Sequence, residues 1–335
     1  MKTSQFTEEH NAFRQSLRAF LDKEVVPFVD EWEEKGQIPK SIWKKMGDQG
    51  YLGLNYPEQY GGLDLDFYYS LIFCEEVGKC WSGGFTISAL VIQYMSSPYI
   101  FKHGSEFLKE KYLKKLISGD LVSCIGITEP GAGSDVQNIR TTAKLEGDHY
   151  IVNGSKTFIT NGVYGDVLVA VVKTNPDAGA HGVSLLLIDL NSTGVSRRKI
   201  KKLGWHSSDT AELAFDNVKV PKENLLGEEG MGFMYLMGGL QLERLSGALM
   251  GTAGSEQALE YAMQYMNERE AFGRKINKFQ VLRHRVAQMI ADIETVKAYV
   301  YYCCDLHNQG IYAVKECSIA KLQASELALG IIDKS

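Results

Sequence analysis

The sequence lacks the features that mark nucleic-acid-binding, membrane-spanning and disulfide-stabilised proteins. Its 335 residues carry a net charge of −5, which is too small to favour nucleic acid as a partner. No segment is long and apolar enough to predict a membrane span. The six cysteines are Cys74, Cys80, Cys124, Cys303, Cys304 and Cys317. Because they show no C-x-x-C spacing, we expect reduced, buried thiols of an intracellular protein and no metal site.

The first residues also lack the usual export and organelle signals. The stretch from Met1 to Arg14 contains Glu8 and Glu9 and no apolar run, so it resembles neither a secretory signal nor an acid-poor transit peptide. We therefore expect a cytoplasmic protein, or one of the mitochondrial matrix if the source is eukaryotic. A hydrophobic fraction of 44% and the absence of sequence repeats fit a globular chain of two or three domains.

Changes of periodicity predict a multidomain α+β protein. Apolar residues recur at helical spacing from Phe6 to about Ser118, with Thr7 as a helix cap, and again from Met231 onward. Between these regions, short β-rich runs predict a compact antiparallel barrel or sandwich. The runs are 167–172, 183–188 and 213–220, and 150–159 as two strands around an Asn-Gly turn. We place the domains at 1–120 (helical), 121–230 (β) and 231–335 (helical); this segregation disfavours a repeating βαβ architecture.

The segment from Thr128 to Asp135, with the sequence TEPGAGSD, is the most informative stretch. Gly131 and Gly133 allow the backbone to approach a ligand closely, and Thr128 and Ser134 place hydroxyls beside backbone N–H groups. This composition is typical of a cofactor or anion cradle, and equally of an ordinary turn-rich loop. The segment matches neither the dinucleotide fingerprint nor the phosphate-binding P-loop.

A carboxylate in an apolar, helix-like stretch is the second candidate. Glu243 and Arg244 are the only charged residues in 231–250. On a helix, Glu243 shares its face with Gly239 and Gly247, and these glycines would leave open volume beside the carboxylate. Desolvation there would raise the pKa of Glu243 toward that of a general base able to take a proton from carbon. The alternative is that Glu243 and Arg244 form ion pairs at a helix–helix contact.

Two further segments are weak indicators when each is taken alone. Residues 156–162 place an aromatic beside threonines, which suits a planar ring, although aromatics in strands usually lie in the core. Residues 269–280 contain arginines that suit a phosphate, although arginines at helix ends usually face water. We interpret the basic residues of 197–202 as a solvated face.

Taken together and in this order, the segments resemble the acyl-CoA dehydrogenase family of flavoenzymes along nearly the whole chain. The resemblance rests on 128–135, on the run Phe158-Ile159-Thr160, on 208–210 and on 269–280. One departure is Asn138, where the family usually has a smaller residue. The resemblance implies an N-terminal α-helical domain, a central β-barrel and a C-terminal four-helix bundle, with FAD between barrel and bundle.

The resemblance also assigns residues to FAD. Those that would contact the flavin are Ile125, Ile127, Thr128, Gly133, Ser134, Phe158, Ile159 and Thr160. Those that would hold the FAD lodged mainly in a neighbouring subunit are Arg269, Ala271, Phe272, Phe279 and Gln280. Because the second set serves a neighbour, the resemblance implies a homodimer or homotetramer.

For catalysis, the resemblance places Ser134, Gln241 and Arg244 along the acyl-CoA. The run Leu242-Glu243-Arg244-Leu245 is similar to a minority of the family, including long-chain and isovaleryl-CoA dehydrogenases, whose catalytic glutamate lies on this helix. It implies that Glu243 removes the α-proton while the β-hydride passes to flavin N5, giving the trans-2-enoyl-CoA. Such chemistry belongs to fatty acid β-oxidation, with an electron-transferring flavoprotein as the acceptor.

The end of the chain at Ser335 leaves other interpretations open. Family members extend further, so we expect the last bundle helix to be missing and the bundle to be incomplete. A catalytically incomplete fragment or pseudoenzyme of the same fold is therefore one alternative. A flavin oxidase on this fold is another, because a fold does not fix the chemistry.

Overall fold

The computed structural model describes residues 6–335. Contacts within the chain divide it into two compact units. One unit contains 6–21, Asp66–Trp81 and Gln241–Ser335, and the other contains Asp22–Leu65 and Ser82–Leu240. In the described part of the chain, no helix is long and apolar enough to cross a membrane.

Helices occupy both ends of the chain, as predicted. The N-terminal helices are α1 (Glu8–Glu24), α2 (Val29–Lys35), α3 (Ser41–Asp48), α4 (Phe67–Gly78), α5 (Gly83–Leu90), α6 (Ser97–His103), α7 (Glu106–Leu108) and α8 (Lys114–Ile117). Two π-helical turns, Val91–Ser96 and Lys109–Leu113, connect α5 to α6 and α7 to α8. The C-terminal helices are α9 (Gly232–Glu268), α10 (Gln280–Asn308) and α11 (Val314–Lys334).

Side-chain caps explain where two of the N-terminal helices begin. Thr7 Oγ1 accepts a hydrogen bond from the His10 N–H at 3.3 Å, which confirms the cap predicted for α1. Asp66 Oδ1 accepts from the Tyr68 N–H at 2.8 Å and caps α4. Each cap satisfies an N–H group that has no partner inside its own helix, and so marks the first turn.

The middle region is an open sheet, so the predicted barrel is wrong. Its strands are β1 (Ser123–Gly126), β2 (Thr142–Glu146), β3 (His149–Ile159), β4 (Val167–Lys173), β5 (Val183–Asp189), β6 (Val195–Lys199), β7 (Ala211–Pro221) and β8 (Leu225–Leu226). Their spatial order is β6-β7-β3-β2-β4-β5-β8, with β1 paired to β4. Among the described residues β6 and β8 end this order without pairing to each other. The sheet is also mixed rather than antiparallel, because β1 and β2 run parallel to β4.

Strand β3 corrects a second expectation. The Asn153-Gly154 pair does not turn the chain, because β3 continues through it and pairs with β7 on both sides of a register shift between Val152 and Gly154. Gly154 has a φ of +143°, and a Cβ there would lie 2.6 Å from the Cα of Thr141. The pair is therefore a β-bulge whose backbone needs glycine. A turn dipeptide alone does not distinguish a bulge from a hairpin.

Two apolar clusters cover the two faces of the sheet. Alternate residues of β4 belong to different clusters, with Val167, Val169 and Val171 in one and Leu168, Ala170 and Val172 in the other. A strand that is buried on both faces has an uninterrupted apolar sequence, which is why this strand was predicted within one residue. Ile100 and Leu113 from the helical segments before the sheet join the first cluster.

Helices α9, α10 and α11 make the C-terminal region helical, as predicted. Leu259 of α9, Met289 and Ile293 of α10 and Ile331 of α11 form an apolar cluster. These are the three long helices of the described chain beyond Met231. The four-helix arrangement of this region stays a prediction.

A network of buried charges ties four helices of the same unit together. Glu75 of α4 is 2% exposed and pairs with Arg14 of α1 at 2.8 Å and with Lys297 of α10 at 3.5 Å. It also accepts a hydrogen bond from the Tyr301 hydroxyl. Lys297 in turn pairs with Glu256 of α9 at 2.5 Å. Because the charges are removed from water, each depends on its partners for compensation.

Candidate functional site

The glycine-rich segment is a tight turn that opens onto free space. Glu129 and Ala132 exchange two backbone hydrogen bonds, of 2.9 and 3.1 Å, and so close the turn. A Cβ placed on Gly131 or on Gly133 would meet no atom within 4 Å. Ser134 is exposed as well. The turn therefore leaves room for a ligand beside its backbone.

A buried ion pair anchors the start of this turn. Lys156 of β3 is fully buried, and its Nζ lies 2.8 Å from Glu129 Oε1 and 3.1 Å from the Ile127 carbonyl oxygen. Burial lowers the pKa of Lys156 to about 8, against the opposing effect of the Glu129 charge. Burial raises the pKa of Glu129, but the Lys156 ammonium and the donors from Thr141 and Arg140 outweigh it and hold this pKa below its ordinary value. Glu129 is therefore a charged anchor.

The end of β3 presents an aromatic ring in an unusual backbone conformation. Phe158 has a φ of +62°, which costs a bulky residue roughly 1–2 kcal/mol. Its side chain is 66% exposed, whereas the neighbouring Ile159 side chain is buried in the sheet. The other residues assigned to the flavin include Ile125, Ile127 and Thr160, which are half-buried. A strained, exposed ring is a feature that a ligand can explain.

Hydrogen bonds to α5, to β1 and to Asp209 hold the turn that follows β3. Asn161, with a φ of +63°, donates to the carbonyl oxygens of Ser88 and Ser123 at 3.1 and 3.2 Å. The Asp209 carboxylate accepts from the N–H groups of Val163 and Tyr164 at 3.1 and 2.7 Å. The family-like segment 208–210 thus supports the turn through Asp209, whose pKa is raised by burial.

Part of the basic run of 197–202 also serves this turn. The Arg197 guanidinium donates to the carbonyl oxygens of Val163 and Gly165 at 2.8 and 2.9 Å. Lys202 donates to the Ser208 carbonyl oxygen and to Thr210 Oγ1, both at 2.9 Å. Arg198 pairs with Glu212, and Lys199 donates to the Gly36 carbonyl oxygen. The interpretation of this run as a solvated face is therefore incomplete, since four of its cations bind the chain itself.

Helix α9 carries the candidate base. Glu243 is half-buried, and its carbonyl oxygen accepts from Ser246 Oγ at 3.0 Å. A Cβ on Gly247, one turn later, would meet no atom within 4 Å. A Cβ on Gly239 would lie 2.1 Å from the Tyr99 hydroxyl. The predicted open volume therefore exists beside Gly247, and the expectation for Gly239 is wrong because the Tyr99 phenol fills that space.

Two of the three residues assigned to the acyl-CoA, Gln241 and Arg244, contact one another on α9. Arg244 Nη1 donates to Gln241 Oε1 at 3.3 Å, across one helical turn. Gln241 is 6% exposed, and its Nε2 lies 3.5 Å from the Tyr312 hydroxyl. Residues three positions apart on a helix are neighbours, so this contact orients the guanidinium along the helix.

The segment 269–280 forms an exposed hairpin ahead of α10. Its strands are β9 (Glu270–Ala271) and β10 (Arg274–Lys275), which pair antiparallel. Phe272 at the tip is 93% exposed with a φ of +52°. Phe272 packs edge-to-face on Phe279 at 6.0 Å, and the Arg274 guanidinium lies 4.4 Å from the Phe279 ring centre. An open groove of about 510 Å³ begins at Gln280.

The two units divide the predicted site residues between them. The segments with Thr128 and Phe158 belong to one unit, and those with Glu243 and Phe272 belong to the other. Sequence reasoning missed the anchoring role of Lys156 and Glu129 and the support from Asp209. A charged residue inside a strand run, as at Lys156, is the signal that points to a buried partner. No metal-binding group of three or more side chains occurs within residues 6–335.

The glycine turn and the end of β3 fit the flavin of FAD. Open space beside Gly131 and Gly133 admits a planar group close to the backbone. The exposed Phe158 ring offers an apolar face. Thr128 and Ser134 add hydroxyls that both donate and accept hydrogen bonds. The donor set therefore suits a ring system with several polar edge atoms.

Three family models match the chain. They are the N-terminal, middle and C-terminal domains of acyl-CoA dehydrogenase, over residues 7–120, 124–218 and 230–335. The long-chain specific acyl-CoA dehydrogenase of Sus scrofa is 40% identical over 327 residues, which are 96% of this chain and 75% of that protein. Together the models span most of the sequence.

Solved structures agree with the family models. An acyl-CoA dehydrogenase from Geobacillus kaustophilus superposes with a TM-score of 0.96 at 42% identity, over 99% of this chain and 88% of that one. A glutaryl-CoA dehydrogenase from Mycobacterium smegmatis, solved with FADH2, gives 0.92 at 26% identity over 98% and 83%. The chain therefore belongs to the acyl-CoA dehydrogenase family of flavoproteins, FAD-dependent oxidoreductases that act on CH–CH groups.

Proposed function

We propose that the protein removes two hydrogens from the α- and β-carbons of an acyl-CoA thioester and yields the trans-2-enoyl-CoA, with Glu243 as the base. The observation that carries this proposal is the half-buried carboxylate of Glu243 on α9, next to the open space at Gly247. A carboxylate partly removed from water is a stronger base than one in bulk solvent. Glu243 would take the α-proton.

Other residues of this chain would bind and orient the thioester. Ser134 of the glycine turn and Gln241 and Arg244 of α9 would lie along the acyl-CoA. The hydrogen bond from Arg244 to Gln241 would set the direction of the guanidinium. Hydrogen bonds to the thioester oxygen stabilise the negative charge that develops when the α-proton leaves.

FAD, when bound, supplies the acceptor for the hydride that leaves the β-carbon. Residues from β1 through the glycine turn and residues at the end of β3 would hold the flavin, namely Ile125, Ile127, Thr128, Gly133, Ser134, Phe158, Ile159 and Thr160. The buried side chain of Ile159 would leave its backbone as the contacting group. Residues of the exposed hairpin would bind the FAD of a second copy, namely Arg269, Ala271, Phe272, Phe279 and Gln280.

The proposal extends to the assembly of the protein and to its electron acceptor. We propose a homodimer or homotetramer, in which Phe272 at the exposed hairpin tip would contact the FAD of a neighbouring copy. We propose an electron-transferring flavoprotein as the acceptor and fatty acid β-oxidation as the setting. We also propose 1–120, 121–230 and 231–335 as the domain boundaries.

The colour of the purified protein and its bleaching test this function. The protein should be yellow, and anaerobic addition of saturated acyl-CoA thioesters of increasing chain length should bleach the flavin with at least one of them. A colourless protein that FAD cannot reconstitute would favour the incomplete-enzyme alternative. Rapid oxygen consumption during turnover would favour the oxidase.

Substitutions at Phe158 should separate backbone strain from ring contact. Phe158→Gly and Phe158→Ala both lose the ring, but only glycine relieves the φ of +62°. Without FAD, the glycine variant should exceed the alanine variant in the free energy of unfolding by about 1 kcal/mol. Both variants should bind FAD more weakly than the parent protein.

Urea unfolding and FAD fluorescence titration measure these two effects. Equal unfolding free energies for Phe158→Gly and Phe158→Ala would contradict the strain. FAD affinity as high in Phe158→Ala as in the parent protein would contradict the ring contact.

A further inference from the structure

The ammonium group of Lys156 holds two parts of the glycine-turn segment at once. It donates to the Ile127 carbonyl oxygen at 3.1 Å and pairs with Glu129 Oε1 at 2.8 Å. The Lys156 side chain is fully buried, and Glu129 is 7% exposed. The proposed chemistry uses neither residue. A buried lysine and glutamate that take no part in catalysis need another explanation.

The Glu129 carboxylate also accepts hydrogen bonds from two backbone N–H groups. Oε2 accepts from the Arg140 N–H at 2.6 Å, and Oε1 accepts from the Thr141 N–H at 3.0 Å. The carboxylate thus connects the glycine turn to the chain that enters β2, while Lys156 connects it to β3. Strand β3 therefore fixes one end of the ion pair, and the two residues that precede β2 fix the other.

Strand β3 also fixes the next carbonyl of the segment. The Thr157 N–H donates to the Thr128 carbonyl oxygen at 2.9 Å, so consecutive residues of β3 hold the consecutive carbonyls of Ile127 and Thr128. A peptide unit is planar and trans, so fixing the Ile127 carbonyl also fixes the direction of the Thr128 N–H. The next residue of β3 is the exposed Phe158.

An ion pair is not needed here for stability alone. Well-packed apolar side chains of similar volume commonly replace a buried pair without loss of stability, because the desolvation of two charges offsets their attraction. Hydrogen bonds to charged groups are directional and stronger than those between neutral groups. The ion pair therefore orients the backbone groups that it contacts, which an apolar contact would not do.

We propose that Lys156 and Glu129 are positioning residues that aim the Thr128 N–H and hold the glycine turn in place for FAD. The inference rests on the proposed function, in which this segment contacts the flavin. Neither residue is among those proposed to contact FAD. They act through the Ile127–Thr128 peptide and through the turn that Glu129 closes with Ala132.

The double variant Lys156→Met/Glu129→Gln tests the inference without leaving a buried charge unpaired. The glutamine amide oxygen replaces only one of the two carboxylate oxygens that accept from the Arg140 and Thr141 N–H groups. One of these N–H groups therefore loses its acceptor, and the variant should fold with an unfolding free energy about 1–3 kcal/mol below that of the parent. Its FAD dissociation constant should rise roughly 10–100-fold. The visible circular dichroism of the bound flavin should change, because the donor direction changes.

Lys173→Met is the matched control. Lys173 is also a buried lysine of this sheet, 5% exposed on β4, but its Nζ donates to the Gly179 carbonyl oxygen, outside the glycine turn. The control should keep the parent FAD affinity and flavin spectrum. Parent-like affinity and circular dichroism in the double variant would overturn the inference.

Hydrogen exchange in the FAD-free protein keeps this inference separate from the proposed function. Amides of residues 128–134 should exchange faster in the double variant than in the parent and in Lys173→Met. If the parent protein binds no FAD, the proposed function fails, and hydrogen exchange alone tests the role of Lys156 and Glu129. Faster exchange in the double variant would then support the positioning role of Lys156 and Glu129, and equal exchange would overturn it.

Discussion

Glu243→Gln should keep its yellow FAD and lose most of the flavin bleaching by acyl-CoA. Glutamine has the shape of glutamate but cannot take the α-proton, and a positioned general base contributes roughly 10²–10⁴-fold to the rate. The rate constant of anaerobic flavin reduction, measured by stopped-flow absorbance, should fall by about that factor. FAD content and the thermal midpoint should stay close to those of the parent, because Glu243 is only half-buried.

Glu260→Gln is the control for this prediction. Glu260 lies on the same helix α9 and is exposed, so the same chemical change there should leave flavin reduction unaltered. Reduction of Glu243→Gln at the parent rate would remove Glu243 from the role of base. The enzyme would then need another proton acceptor, and the assignment of α9 would be wrong.

Glu75→Leu should destabilise the protein by roughly 3 kcal/mol, toward the lower end of what the loss of one partner from a buried ion pair costs. The substitution removes a carboxylate that lies 2.8 Å from Arg14 and 3.5 Å from Lys297. Each cation keeps one other carboxylate, Glu76 for Arg14 and Glu256 for Lys297, which limits the loss. It also removes the acceptor of the Tyr301 hydroxyl. The effect falls short of the maximum because the two cations are 27% and 21% exposed and retain some hydration.

Urea unfolding at neutral pH measures this effect, and Glu31→Leu is its control. Glu31 pairs with Lys35 on the surface of α2, where the two side chains are 52% and 66% exposed. Removal of such a pair should cost no more than about 0.5 kcal/mol. A loss in Glu75→Leu as small as in the control would show that the buried network does not contribute to stability.

Local patterns were enough to predict the helical ends of the chain and the longer strands β3, β4, β5 and β7. Helical periodicity and the Thr7 cap act within a few residues, and α1 begins where they indicate. The uninterrupted apolar run of β4 predicted that strand within one residue. The strands that were missed are β1, β2, β6, β8, β9 and β10, because strands of two to five residues carry too little pattern of their own.

The candidate site was predicted at the level of its segments rather than its contacts. Thr128, Phe158 and Glu243 stand out in the sequence by composition, isolation or family resemblance. The partner of Glu129 did not, because Lys156 is 27 positions away and no local pattern connects the two. The contact between Tyr99 and the space beside Gly239 could not be predicted either, because the two residues are also far apart in the sequence.

The sequence by itself determined the order of helices, strands and helices, the glycine-rich segment and the isolated carboxylate of Glu243, because periodicity and side-chain chemistry are local properties. Only the tertiary structure decided that the sheet stays open, that Gly154 forms a bulge rather than a turn, and that Lys156 holds the glycine turn. These outcomes depend on which distant segments pair and pack. Strand pairing and burial are settled by the fold as a whole.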